Sequence, residues 1–336
     1  MAKKFAKRIL VVRRDNIGDL VCTTPLLAGL RQRFPDAWIG ALVNSYNAPV
    51  LAGNPNLNEV FAYTKLKHRA PGESWLHCAV GRLRLMLELR RHHIDDLVLA
   101  APGYQASAER FARWVGPVRV VRPESGGAGH EVERIASCFA AWEGGVSLGP
   151  CQVFPDASRA AALASALPFP SSPNPLVALH ISARKPSQRW SAENFADLAR
   201  QLHRAWGARF LLFWSPGAPD NPLHPGDDEK AGRILSLAAD LPIHPVPTDN
   251  LAELIAGLSL ADRVVCSDGG AMHLAAGLGK PIVCFFGQSD PVRWRPWGVA
   301  HEVLQNEARD VSGISVAEAF SACQRLVAKI HPASSD

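Results

Sequence analysis

Short, continuous apolar runs recur along the whole chain and alternate with amphipathic segments of helical period. Because these runs do not alternate apolar with polar residues, they are typical of strands buried on both faces of a parallel sheet. The intervening segments begin with helix caps, such as Ser191 and the pair Asn250 and Glu253. The pattern predicts an α/β fold with doubly wound layers. The apolar runs cover 8–12, 38–43, 95–101, 175–181, 208–214, 262–266 and 281–286.

A proline- and serine-rich stretch separates two groups of these runs. Residues 154–175 contain five prolines and are followed by a new apolar run. A chain of 336 residues is long enough to build two hydrophobic cores. We therefore predict two Rossmann-like domains, 1–165 and 166–336, whose parallel sheets face a central cleft.

Charge and composition limit the partners that this chain can have. The net charge of +5 favours anionic ligands, but the sequence lacks the long basic block that would indicate nucleic-acid binding. The seven cysteines and twelve histidines show no C-x-x-C or H-E-x-x-H spacing, so we expect no metal site and no cofactor. The apolar runs are too short for a secretory signal or a membrane span. We expect a cytoplasmic protein, and a peripheral contact with the inner membrane face stays open.

The loop after the first run carries the first candidate site. Gly18 and Asp19 fall at the carboxyl end of a parallel strand, which is where open α/β sheets bind ligands. Asp19 is either an acid of the first helical turn, stabilised by the helix dipole, or a general base. The three-glycine spacing of dinucleotide-binding proteins is missing, so a nicotinamide cofactor is not supported.

A second candidate site is the basic loop at 180–195. Arg184, Lys185 and Arg189 stand just before a predicted helix, where the helix dipole disfavours cations. An anion held between these side chains and the helix amides would explain their position. A solvated basic loop is the alternative.

The third candidate is the glycine pair at 269–270, between a strand and a helix. Gly269 and Gly270 have no Cβ, so their amides can approach a phosphate closely. His273 could donate a hydrogen bond to the same oxygens, and Asp268 could cap the helix or accept a hydrogen bond from a sugar hydroxyl. A tight turn with a buried histidine is the alternative.

Two further segments allow both a structural and a functional interpretation. The loop 285–298 carries Arg293 and Arg295, which either face an anionic ligand or are solvated while nearby tryptophans fill the core. The segment 82–93 predicts a helix with a row of apolar side chains. This helix either covers the sheet or rests on an anionic bilayer.

Taken in order, these segments resemble glycosyltransferase family 9, the heptosyltransferases of lipopolysaccharide core synthesis and their relatives. The resemblance rests on the stretches 8–35, 180–199 and 262–298 and runs nearly end to end. Its most specific part is the pattern D-x-G-x-x-H-L-A-A, followed by a strand and F-G-x-S-D-P. The resemblance implies a GT-B architecture, with the acceptor on the first domain and a nucleotide sugar on the second.

The resemblance also implies roles for individual residues. Asp19 matches the base that takes a proton from the acceptor hydroxyl, and Glu229 lies where relatives hold the nucleotide ribose. Gln188 stands where relatives usually have a lysine on the donor phosphate, and Gly269 replaces a serine or threonine. The donor-side set is Arg184, Lys185, Gln188, Arg189, Glu229, Asp268, Gly269, Gly270 and His273. The acceptor-side or loop residues are Asn16, Gly18, Thr23 and Arg293.

The implied reaction is a metal-independent transfer with inversion at the anomeric carbon. The donor is a nucleotide-diphospho-sugar, with ADP-heptose as the first candidate, and the acceptor is a lipid-linked saccharide. The departures at Gln188 and Gly269 leave two alternatives open. One is a weak or inactive relative that still binds a nucleotide sugar, and the other is a nucleotide-sugar epimerase of the same architecture.

Overall fold

The protein is described from a computed structural model that covers residues 7–63, 75–143, 146–169, 172–220 and 225–331, without the side chains of 75–79 and 82. The chain divides into two compact units, Met1–Val153 and Phe154–Asp336. The sequence-based division after residue 165 lies later, because the helix Ala157–Ala166 packs on the helix Leu251–Leu260 of the second unit.

The first unit is a five-stranded parallel sheet in the order β3-β2-β1-β4-β5. Its strands β1, β2 and β4 coincide with the first three apolar runs and are almost entirely buried. Its elements are β1 (Arg8–Val12), α1 (Ile17–Val21), α2 (Thr24–Arg33), β2 (Trp38–Asn44), β3 (Glu59–Tyr63), α3 (Trp75–Arg91), β4 (Asp96–Leu99), α4 (Ala106–Val115), β5 (Arg119–Val121) and α5 (Glu131–Ala136).

The second unit is a six-stranded parallel sheet in the order β11-β10-β9-β6-β7-β8. The four later apolar runs become β6, β7, β9 and β10, which confirms the predicted parallel strands. The elements are α6 (Ala157–Ala166), β6 (Leu176–His180), α7 (Ala192–Trp206), β7 (Arg209–Trp214), α8 (Asp228–Leu237), β8 (Ile243–Pro247), α9 (Leu251–Leu260), β9 (Arg263–Ser267), α10 (Gly270–Gly277), β10 (Ile282–Phe285), α11 (Pro291–Trp294), β11 (His301–Leu304) and α12 (Val316–Ile330).

Helix ends follow the local sequence signals. The Ser191 side chain accepts a hydrogen bond from the backbone N–H of Asn194 and caps α7, as predicted. The same helix ends at Gly207, whose φ of 63° suits a residue without a Cβ. Asn250 accepts a hydrogen bond from the backbone N–H of Glu253 and caps α9.

Both sheets reverse their direction of strand addition beside a central strand. In the first sheet the reversal lies between β1 and β4, and in the second it lies between β6 and β9. At such a point the loops leave the two neighbouring strands towards opposite faces, so a crevice opens at the carboxyl edge. The loops after these four strands are therefore where ligand-binding residues are expected in each unit.

A buried carboxylate stabilises the first sheet at the amino ends of its strands. Asp96, at the start of β4, is 3% exposed and accepts hydrogen bonds from Arg119 Nε at 2.7 Å and Trp142 Nε1 at 2.8 Å. The ammonium of Lys7 lies 2.7 Å from Asp96 Oδ2, the oxygen that also accepts from Trp142. Burial alone would raise the pKa of Asp96, but the hydrogen bonds from Arg119, Lys7 and Trp142 outweigh it and lower the pKa.

We expect Asp96→Asn to lower the free energy of unfolding by about 3 kcal/mol at pH 7, because it breaks a buried ion pair. The pKa of Asp96 is lower in the folded state, so this contribution is complete above the unfolded pKa of about 4 and is lost as the pH falls through the folded value. Urea unfolding across this range measures the difference. Asp197→Asn, which removes only an exposed pair with Arg200, should change stability by about 0.5 kcal/mol or less. A difference for Asp96→Asn that does not shrink in acid would contradict this assignment.

Candidate active site

A buried arginine crosses the reversal point of the first sheet. Arg13, the first residue after β1, is 2% exposed and donates a hydrogen bond from Nη1 to the backbone oxygen of Ala100, the first residue after β4, at 2.6 Å. Its Nη2 donates to Asp19 Oδ1 at 2.6 Å and to Glu131 Oε1 at 2.9 Å. Burial acts to lower the pKa of Arg13, but the nearby carboxylates of Asp19, Asp15 and Glu131 raise it overall. The guanidinium therefore stays charged while it joins three segments of the chain.

Asp19 is held through both carboxylate oxygens. Oδ1 accepts the hydrogen bond from Arg13, and Oδ2 accepts hydrogen bonds from the backbone N–H of Asn16 at 3.1 Å and from Asn16 Nδ2 at 3.0 Å. The Thr23 hydroxyl donates to the backbone oxygen of Asp19 at 2.8 Å. Asp19 is thus an acid of the first helical turn with a fixed orientation, and its side chain keeps 12% of its surface exposed. Its role as a base stays a prediction.

The turn between β1 and α1 is supported from the neighbouring strand. Asn44 and Asn47 are both buried, and each donates from Nδ2 to the backbone oxygen of Asp15, at 3.0 and 2.8 Å. Gly18, on the first turn of α1, is buried as well. The predicted residues Asn16, Gly18, Asp19 and Thr23 therefore form one rigid corner at the carboxyl edge of the first sheet.

In the second unit a glutamine spans the corresponding reversal point. Gln188 follows β6 and is 6% exposed, and its Nε2 donates to Asp268 Oδ2, just after β9, at 2.7 Å. The same nitrogen lies 3.4 Å from the hydroxyl of Ser289, in the loop after β10. Asp268 does not cap α10, contrary to one of the two predicted roles: the N-cap residue is Gly269, and the Asp268 carboxylate is engaged by Gln188 instead.

Two glycines of these loops differ in whether the packing leaves room for a Cβ atom. At Gly287 a Cβ would lie 2.4 Å from the backbone oxygen of Ser187, so the loops after β6 and β10 can touch only if this residue has no side chain. At Gly269 a Cβ would meet no atom of the described chain within 4 Å, and its φ of 162° is extended backbone. The fold itself therefore does not require a glycine at 269.

The basic residues of the loop after β6 are divided between two tasks. The Nε of Arg189 donates to the backbone oxygen of Ala183 at 2.9 Å and closes the loop upon itself. Arg184 and Lys185 are exposed at its tip. The charge that this loop presents to solvent therefore comes mainly from these two side chains.

His273 and the loop after β10 form a small aromatic group. His273 is 5% exposed, and its ring meets that of Trp294 edge to face at a centroid distance of 6.0 Å. The guanidinium of Arg293 lies 4.8 Å from the centre of the same indole ring. Trp294 is half-buried and contacts both His273 and Arg293, so it is not a central core residue.

The acid at the start of α8 with a buried, unsatisfied oxygen is Asp227, not Glu229. Glu229 is exposed on the first turn, whereas Asp227 is 5% exposed and its Oδ2 has no hydrogen-bond partner within the part of the chain that the structure describes. Nearby, Lys230 Nζ donates to the backbone oxygen of Ile181 at 2.8 Å. Burial lowers the pKa of Lys230 to about 8, although Asp227 acts to raise it.

Sequence patterns did not identify three buried charged residues beside the candidate site, Arg13, Glu131 and Asp227. Arg13 reads as part of a basic pair after a strand, and Glu131 lies more than a hundred positions further along the chain. Of the three acids at 227–229, only Glu229 was predicted to have a role, because local sequence patterns do not show that Asp227 is buried. Among the described residues, no group of three or more His, Cys, Asp or Glu side chains could hold a metal ion, and no helix is long and apolar enough to cross a membrane.

Two doubly wound parallel-sheet units, each with polar residues at the carboxyl edge, are the architecture of the GT-B glycosyltransferases. The family model of glycosyltransferase family 9 (heptosyltransferase) matches residues 104–315. Because this match covers more than half of the chain, the protein belongs to that family.

Curated relatives agree with this assignment. The chain is 24% identical over 307 residues to lipopolysaccharide heptosyltransferase 3 of Escherichia coli (strain K12), covering 83% of this chain and 82% of the relative. It is also 24% identical over 312 residues to lipopolysaccharide heptosyltransferase 2 of Salmonella typhimurium, covering 84% of each.

Solved structures share the fold along nearly the whole chain. A family 9 glycosyltransferase from Veillonella parvula superposes with a TM-score of 0.78 at 18% identity, covering 97% of this chain and 99% of that one. The E. coli heptosyltransferase WaaC with ADP superposes with a TM-score of 0.75 at 20% identity, covering 95% and 99%.

A pair of glycine variants tests which of these loop glycines the packing of the fold requires. We expect Gly287→Ala to lower the free energy of unfolding by about 1–3 kcal/mol, because the new methyl group would overlap the Ser187 backbone. Gly269→Ala should change stability by about 0.5 kcal/mol or less, since no described atom crowds the position. Urea unfolding of both variants beside the parent measures this, and equal losses would refute the packing argument.

Proposed function

We propose that this enzyme transfers a heptose from ADP-heptose to a lipopolysaccharide-type, lipid-linked saccharide, with inversion and without a metal ion. Support comes from the family and from relatives named as lipopolysaccharide heptosyltransferases. Solved structures of the E. coli heptosyltransferase WaaC are complexes with ADP and with ADP-2-deoxy-2-fluoro heptose. The observation that carries the proposal is Asp19, a carboxylate oriented through both oxygens at the reversal point of the first sheet.

On the acceptor side, Asp19 acts as the general base. Its carboxylate takes the proton of the acceptor hydroxyl as that oxygen forms a bond to the anomeric carbon of the donor sugar. The bond from that carbon to the diphosphate oxygen breaks on the opposite face, which inverts the configuration. Arg13 keeps the carboxylate in place, because its guanidinium is buried and anchored to Ala100. Transfer requires the donor and the acceptor to be bound at the same time.

On the donor side, the amides at the start of α10 and the cations of the basic loop stabilise the leaving diphosphate. Gly270 begins the helix, so its amide and the positive end of the dipole favour an anion there. Arg184 and Lys185 supply the positive charge that Gln188 lacks, and His273 donates a further hydrogen bond. Asp227 is proposed to accept hydrogen bonds from the nucleotide ribose in place of Glu229, because no donor in the described chain makes a hydrogen bond to its buried Oδ2.

The neutral side chain at 188 supports a second candidate, a relative that binds a nucleotide sugar without efficient transfer. Gln188 keeps Asp268 hydrogen-bonded but adds no charge beside the diphosphate. Calorimetric binding of ADP-heptose, without turnover across a panel of saccharide acceptors, would favour this candidate. An NMR time course of the donor alone would reveal any epimerisation.

The central test uses purified full-length protein, ADP-heptose, a lipopolysaccharide-core acceptor and a chelator. We expect ADP release coupled to acceptor glycosylation, and we expect Asp19→Ala to lower kcat by about 100-fold or more, since a general base is lost. Donor affinity measured by calorimetry should stay within about twofold of the parent, because Asp19 serves the acceptor. Full turnover in Asp19→Ala would exclude this residue as the base, and turnover that stops with the chelator would exclude the metal-independent reaction.

A second variant tests whether the buried acid positions the base. We expect Glu131→Gln to lower kcat by about tenfold with both KM values little changed, because the ion pair that anchors Arg13 becomes a weaker neutral hydrogen bond and Asp19 moves slightly. Glu133→Gln is the matched control. Glu133 Oε2 accepts a hydrogen bond from the backbone N–H of His130 at the start of the same helix but does not contact Arg13. Equal kinetic losses in the two variants would show that the effect is general damage to α5.

A further inference from the structure

Among the described side chains of helix α3, those that pack against the core of the first unit lie on one face. Leu89 is fully buried in the core of the first unit, and Leu85 packs against that core from the previous turn. Successive residues of an α-helix turn by about 100°, so positions 80, 83 and 87 lie on the opposite face. A helix that only covers a sheet carries polar side chains on that outer face.

The outer face of α3 is apolar instead. Val80 is 47% exposed, Leu83 is 51% exposed and Leu87 is 45% exposed. Their spacing of three and four residues places them in one row along two turns of the helix. Three of the seven large exposed hydrophobic residues in the described chain therefore lie on a single helical face.

Arginines border this apolar row on both sides. By helical position, Arg84 and Arg91 lie on one flank and Arg90 lies on the other, and all three are exposed. The guanidinium of Arg90 lies 5.2 Å from the ring of Trp114, which holds it at the edge of the row. The sequence 80–91 contains four arginines and one acid, Glu88. An apolar strip between basic flanks is the arrangement that suits the interface of an anionic bilayer.

We propose that the outer face of α3, defined by Val80, Leu83, Leu87 and the flanking Arg84, Arg90 and Arg91, docks on the surface of an anionic lipid bilayer. The apolar side chains enter the boundary between headgroups and acyl chains, and the guanidinium groups pair with headgroup phosphates. A second copy of this chain fits less well, because a two-fold contact through this face would bring its arginines near those of the partner. The proposal builds on the proposed lipid-linked acceptor, but its test does not depend on turnover.

The test is co-sedimentation of the full-length protein with vesicles of phosphatidylcholine, with or without phosphatidylglycerol. We expect binding to the anionic vesicles that weakens with salt. Both Leu83→Ser/Leu87→Ser and Arg84→Gln/Arg91→Gln should lower the binding by about tenfold or more. The matched control is Val118→Ser/Val292→Ser, which removes two exposed apolar side chains elsewhere and should bind like the parent. Circular dichroism and thermal unfolding verify that each variant is folded.

Three outcomes would overturn the proposal. The first is a parent protein that ignores anionic vesicles, and the second is α3 variants that bind as well as the parent. The third is a parent oligomer, seen in analytical ultracentrifugation, that the α3 variants lose, which would make this face a protein contact. Turnover on a lipid-free saccharide acceptor should be the same in parent and α3 variants. A parent inactive in that assay but bound to vesicles would count against the proposed function alone.

Discussion

The reversal of strand order beside the central strand is the constraint on which each unit of this protein depends. At the reversal, the loops that follow two adjacent parallel strands leave towards opposite faces of the sheet. Side chains then have to connect the ends of these two strands. In the first unit Arg13 makes that connection to Ala100, and in the second unit Gln188 makes it to Asp268. Because both side chains are buried, the connection also determines where the neighbouring functional groups point. The candidate site residues are thus held by the same contacts that connect neighbouring strands at the carboxyl edge of each sheet.

The two connections differ in charge, and this difference has a chemical consequence. The guanidinium of Arg13 is surrounded by carboxylates, so it is retained as a cation and fixes Asp19 by ion pairing. The amide of Gln188 fixes Asp268 through a neutral hydrogen bond. Under the proposed function, the positive charge beside the anionic leaving group comes from exposed side chains at the tip of the loop after β6 and from the start of α10. In the proposed reaction the base is held rigidly, while the cations opposite the leaving group belong to a more exposed part of the loop.

The sequence predicts the central strands far better than the edges. The continuous apolar runs became β1, β2, β4, β6, β7, β9 and β10, because strands buried on both faces leave no room for polar positions. The strands β3, β5, β8 and β11 were not predicted. They lie at or near the sheet edges, are partly exposed and include prolines in β8, so their pattern resembles that of loops. The site shows the same limit: the role of Glu229 stays a prediction from the resemblance, while the burial of Arg13 and Asp227 was not predicted.

What the sequence by itself determined is the layered α/β class, the capping residues Ser191 and Asn250, and the family, and it also named the candidate loops at the carboxyl ends of the strands. Each of these is written in local periodicity or in short ordered motifs. Only the tertiary structure decided which polar side chains are buried together: the guanidinium shared by Asp19 and Glu131, the amide between Asp268 and Ser289, and the apolar outer face of α3. The physical reason is that burial and pairing depend on residues far apart in the chain, and these meet only when the sheets form.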